Sequence, residues 1–177
     1  MTDELTEFGG TAADDVQGDE RIQPIFVRTE YLGRYQSANQ IRDLAPLYMD
    51  EPQELGGRNS GPTALESCLA ALNSCTAMIM YVLKREMRFD LGELSFETEG
   101  WIDVRRIEMK RTGQLYSQVT PLADHYQRVV QRVFITTSET GERLEHFKSE
   151  VHRLCPMHAL LRDARVPLES DWRVTSP

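Results

Sequence analysis

Cysteine is scarce in this sequence: three in 177 residues. An odd number without scaffold-like spacing does not make a secreted disulfide framework, and free thiols are the expectation in a reducing compartment. No apolar run reads as long enough to span a bilayer, and the first residues carry neither a basic nor an apolar segment of signal-peptide type. The sequence therefore predicts a cytoplasmic chain without membrane association. A basic stripe is missing too, which removes the electrostatic footprint of nucleic-acid binding. There is no internal repeat.

The formal charge of -8 is concentrated at one end. Residues 1 to 20 hold Asp3, Glu4, Glu7, Asp14, Asp15, Asp19 and Glu20 and no base, leaving 21 acids against 20 bases in the rest of the chain. Residues 1–22 thus read as an acidic, disordered and solubilising tail. The remaining 23–177 is the right length for one domain with one core.

Along that domain, β-branched and aromatic residues flank "LGRY", where Gly33 supplies the turn of a hairpin over 24–43. Pro46, Pro52, Pro62 and Gly56-Gly57 break the next stretch into a short strand and a long loop. Leu65, Leu69, Leu72, Ile79 and Leu83 then recur at helical spacings with no breaker before Gly92, predicting a helix of about six or seven turns. A strand pair over 91–111, a strand over 125–138, a helix over 141–154, a short helix after Cys155 and a final strand complete the pattern.

Cys68 and Cys75 share a face of the first helix, but their Cα atoms lie about 10 Å apart on it. Disulfide geometry needs roughly 4.4 to 6.8 Å, so they cannot pair while the helix is intact. Cys155 precedes Pro156, which suits the first position of a helix, so this thiol sits near an N-cap where the dipole favours a thiolate. Cys75 is mid-helix and needs a cation from tertiary structure to become reactive. These arguments leave Cys75 and Cys155 unranked, and Cys68 reads as a small buried hydrophobe. Thr63-x-x-Glu66 has capping-box spacing. His152, Cys155 and His158 have a spacing that suggests a metal, yet Pro156 interrupts them and a fourth ligand is not evident. His125 and His146 read as solvated.

A hairpin with Gly33-Arg34, the loop "DEPQELGG", "GPTALESCLAALNSC" opening a long helix, and a second helix ending in "RLCPM" together resemble the OsmC/Ohr family, the osmotically induced and organic hydroperoxide resistance proteins. The resemblance spans about residues 25 to 174 and lies nearest the less characterised OsmC-like branches. It implies an α/β (α+β) fold in which antiparallel sheets wrap two long central helices, assembled as an intertwined homodimer. It also implies ranks for the thiols: Cys75 peroxidatic, Cys155 resolving, with Arg34 supplying the cation and Arg42 the alternative. In the best-studied branch an asparagine-proline-glutamate triplet puts a glutamate ten residues before the reactive cysteine; here that residue is Leu65, so Glu51, Glu54 and Glu66 all remain candidates to hold the arginine.

The implied activity is reduction of organic hydroperoxides by thiols alone, needing no metal or bound organic cofactor and reset by an external dithiol. Two other functions fit the same residues: a catalytically silent dimer binding a small apolar ligand, and a zinc-binding regulator that depends on His152, Cys155 and His158 meeting Cys75.

Overall fold

The computed structural model describes residues 24–105, 107, 113–120 and 125–177. The acidic tail, and part of the second strand expected near 102–111, lie outside the described residues. A hairpin comes first: β1 (Arg28–Gly33) and β2 (Gln36–Gln40) pair antiparallel, and β3 (Leu47–Met49) adds to β2. The turn between β1 and β2 holds Gly33 at φ 99° and Arg34 at φ 55°. Gly33 sits at the register shift that ends β1 and Arg34 opens the turn, where the Tyr31 hydroxyl donates to the Arg34 carbonyl at 2.7 Å.

The long loop that follows is organised by Asp50, which is almost fully buried. Its carboxylate accepts from the backbone N–H groups of Glu51, Arg58 and Ser60 and from the Ser60 hydroxyl at 2.8–3.2 Å. Burial alone would raise its pKa, but these donors bring it below the ordinary carboxylate range. The Asp50 N–H also donates to the Pro62 carbonyl at 3.1 Å, so the loop delivers the chain to the start of the next helix in a fixed direction.

That helix is α1 (Ala64–Glu86), capped as its sequence predicts: the Thr63 side chain accepts from the Glu66 N–H, and Glu66 Oε2 accepts from the Thr63 N–H at 2.8 Å. Leu72, Thr76, Met80 and Leu83 point inward at spacings of four, four and three. By length and composition α1 is apolar enough to cross a membrane, a property the reading of the sequence as free of such a run does not anticipate. Here it forms one wall of the core instead.

The second sheet comprises β4 (Leu94–Trp101), β5 (Arg128–Thr136) and β6 (Leu168–Thr175), with β5 in the middle. β4 runs antiparallel to β5, whereas β6 is parallel to it. This departs from the all-antiparallel expectation, because the chain crosses over through α2 (Gly141–Leu154) and α3 (Pro156–Asp163) before returning. The helices cover this sheet and enclose Met80, Leu83, Phe89, Val133, Ile135, Phe147 and Val151. Phe89 and Phe147 stack with ring centroids 3.9 Å apart. At Gly100 on β4 a Cβ would lie 2.5 Å from the Tyr126 ring, so only glycine lets that ring lie on the strand.

Candidate active site

Cys75 and Cys155 come from different elements and meet beside the start of α3. Cys75 immediately precedes the inward-facing Thr76 on α1, which leaves its thiol half-buried. Cys155 ends α2 and is the N-cap of α3, with extended backbone (φ -74°, ψ 115°) enforced by the proline after it. Its side chain is fully buried. Cys68 lies elsewhere, packed among Leu72, Tyr126, Val129 and Leu161.

The first turn of α3 decides which thiol receives the helix N-terminus. Pro156 has no N–H to offer, so the first free donor belongs to Met157, and that N–H acts on Cys75 to favour its thiolate, while the Cys155 side chain makes no cap bond. Burial still holds the Cys75 thiol above its ordinary pKa; the Met157 N–H acts in the opposite direction, and the hydrogen bond and charge of the adjacent Cys155 add to the rise. Among the described residues no cation contributes.

Beneath the two sulfurs lies a buried polar cluster that sequence reasoning missed. Thr76 Oγ1 is 3.8 Å from Cys155 Sγ and 3.3 Å from His158 Nε2, while its hydroxyl lies 2.8 Å from the Leu72 carbonyl. Gln131, on β5 and fully buried, donates from Nε2 to Thr76 Oγ1 at 3.2 Å and to Asn73 Oδ1 at 3.0 Å. Its Oε1 stands 3.2 Å from His158 Nε2. Since Gln131 Oε1 can only accept, His158 carries its proton on Nε2. Burial, with the charges of His152 and Arg162, pushes the His158 pKa down to about 4, so the ring is neutral near pH 7.

The remaining candidates are dispersed. Arg34 is exposed at the hairpin turn, and Arg42 also has a positive φ, in the bend after β2. Glu66 is committed to the α1 cap. Glu54 lies exposed in a 3-10 turn, Gln53–Leu55. Glu51 has its pKa raised by burial and by the charges of Glu66 and Asp50. With Pro52, Leu55, Leu65, Leu69 and Tyr126, Glu51 and Glu66 border an apolar cavity of about 250 Å³. No group of three or more His, Cys, Asp or Glu among the described residues is placed to hold a metal ion; His152 and His158 stack instead, their ring centroids 5.0 Å apart.

A model of the family described as OsmC-like protein matches residues 57–171, well over half of the chain and inclusive of both thiols. The chain belongs to the OsmC-like family. No curated protein matches it. Solved structures share the OsmC-like fold at low identity. An OsmC-like protein from Mycoplasma pneumoniae has a TM-score of 0.66 at 12% identity, over 87% of this chain and 97% of that one. An organic hydroperoxide resistance protein OsmC from Legionella pneumophila gives 0.54 at 16%, over 85% and 96%. The organic hydroperoxide resistance protein OhrB of Bacillus subtilis gives 0.52 at 10%, over 85% and 98%. Arg34 lies outside the matched span of the OsmC-like model, whereas the loop from Gly57, α1 and the α2–α3 junction lie inside it.

Proposed function

We propose that this protein is a thiol-dependent peroxidase that reduces organic hydroperoxides, with Cys75 as the peroxide-reactive thiol and Cys155 as its resolving partner. The observation that carries the reading is the asymmetry of the pair: Cys75 is half-exposed and receives the α3 N-terminus, while Cys155 beside it is sealed from solvent. A substrate can reach only the first, and a sulfenic acid formed there finds the second already adjacent. Family membership and the hydroperoxide resistance proteins among its structural relatives support the same chemistry.

In the proposed cycle the Cys75 thiolate attacks the hydroperoxide, forming an S–O bond as the O–O bond breaks, and the leaving alkoxide takes a proton to become the alcohol. Cys155 sulfur then attacks Cys75 sulfur. The S–S bond forms, the S–O bond breaks, and the hydroxide leaves with the Cys155 proton as water. An external dithiol reduces the disulfide.

Among the described residues Cys75 lacks a cation, and in this reading Arg34 of a second copy in a homodimer supplies it. The open apolar face of α1 beside Cys75, with Met78, Tyr81 and Val82 all exposed, supports such an assembly. A cation there lowers the thiol pKa, so Arg34→Ala should slow the first turnover, and the loss should shrink as pH approaches the free-thiol value near 8.5. The defining experiment is single turnover with an organic hydroperoxide. Cys75→Ser should consume none, and Cys155→Ser about one equivalent before stalling as a sulfenic acid. The reverse pattern would overturn the assignment. The alternative, a silent dimer holding a small apolar ligand, draws on the apolar cavity at the α1 N-terminus and predicts no thiol loss in either variant.

A further inference from the structure

His158 belongs to two environments. Its Nε2 faces Gln131 and Thr76, and the ring also lines a cavity of about 390 Å³ whose wall includes His152, Arg162, Arg165 and the Val166-Pro167-Leu168 segment. The charge of this cavity is unbalanced. Arg162 has one loose ion pair, 3.7 Å to the adjacent Asp163, and among the described residues Arg165 has no carboxylate partner. Acids on the neighbouring strand β6 are engaged elsewhere, Glu169 with Arg128 and Asp171 with Arg173, each at 2.6 Å.

His158 registers this surplus through Arg162. The His152 pKa is lowered by burial and then by Lys148, and that of His158 by burial, His152 and Arg162. His152 Nε2 is buried without a hydrogen-bond partner among the described residues. A near-neutral domain that concentrates one loosely paired guanidinium group, a second without a carboxylate partner among the described residues, and two imidazoles around one apolar-floored cavity is suited to a counter-ion with an apolar body.

We propose that this cavity is a binding site for a small organic carboxylate, its carboxylate held by Arg162 and Arg165 and its apolar body against Val166, Pro167 and Leu168. Arginine presents paired N–H donors that match a carboxylate, which a lone aliphatic alcohol cannot exploit. The occupied site would touch the redox pair through His158 Nε2, Thr76 Oγ1 and Cys155 Sγ, consecutive contacts of 3.3 and 3.8 Å. The proposal does not depend on peroxide turnover, and its test reads binding alone.

Hexanoate is titrated into the full-length reduced protein while the imidazole C–H resonances of His152 and His158 are followed by NMR, with hexan-1-ol as the uncharged control. The expected result is a saturable shift of both rings in the millimolar range or tighter. Arg162→Gln combined with Arg165→Gln should weaken binding at least about tenfold. Both arginines are exposed, so the double variant should keep its thermal midpoint, which checks folding independently. A shift that never saturates, equal affinity for hexan-1-ol, or an unchanged affinity in the folded double variant would each overturn the proposal.

Discussion

The two sheets have three strands each and opposite relations to the rest of the chain. β5 turns Val129, Val133 and Ile135 into a core closed by three helices. In β1–β3 no residue is buried, and Tyr31, Leu47 and Tyr48 stand open to solvent. Sheets of similar size thus differ in whether the described residues cover them. Apolar side chains left bare by the described residues form, in the proposed homodimer, the surface that a second copy covers, with the exposed side of α1 as its counterpart. The packed half carries the two thiols; the bare half carries Arg34, the cation proposed to activate one of them.

The largest expected effect falls in the packed half. Phe147→Ala removes a fully buried ring stacked on Phe89 and should cost about 3–5 kcal/mol in denaturant unfolding. Tyr31→Ala in the bare half removes one exposed hydrogen bond within the chain, to the Arg34 carbonyl, so in the proposed homodimer its cost should be small in dilute protein and grow only at concentrations where copies associate. If Tyr31→Ala lowers stability as much as Phe147→Ala at every concentration, the contrast between the sheets is wrong.

Next comes the interface itself. Met78 is 54% exposed on α1, and an apolar contact there would be broken by a buried charge, so Met78→Asp should weaken association at least about a hundredfold. Sedimentation at micromolar concentration should find monomers. A variant that remains dimeric would put the interface elsewhere.

Acid should act on the packed half as well. His158 titrates near 6.5 when unfolded and at about 4 in the fold, so between these values the unfolded chain binds the proton and the native one does not. Stability therefore falls as pH drops from 6.5 towards 4, by on the order of 3 kcal/mol if the full shift is realised. His158→Gln should flatten that slope of unfolding free energy against pH; an equally steep slope in the variant would assign it to other groups. The smallest effect belongs to the junction between the halves, where Thr63→Ala deletes the α1 cap and should cost about 1 kcal/mol.

Much of this architecture was legible in the residues. Thr63 and Glu66 announced the start of α1, the helical pattern over 141–154 matches α2, and Cys155-Pro156 marked the join to α3. What escaped notice was polar and buried. Gln131 shares the inward parity of Val129, Val133 and Ile135 on β5, and Thr76 shares a helix face with Leu72 and Met80; a polar residue at an inward position was the available signal. Asp50 had no such pattern, because its partners are backbone groups brought in by loop geometry. The N-cap argument identified the right helix end, but it could not tell that the first free N–H turns to Cys75, since that depends on how α1 packs against α3.

Cys75 and Cys155 are proposed to act as one redox unit from which Cys68 is excluded. Reduced wild-type protein treated with one equivalent of an organic hydroperoxide, alkylated and mapped by mass spectrometry, tests this directly. The predicted product is a Cys75–Cys155 disulfide within a single chain, with Cys68 recovered fully as the alkylated thiol. Recovery of all three cysteines as thiols, or oxidation appearing on Cys68 first, would contradict it.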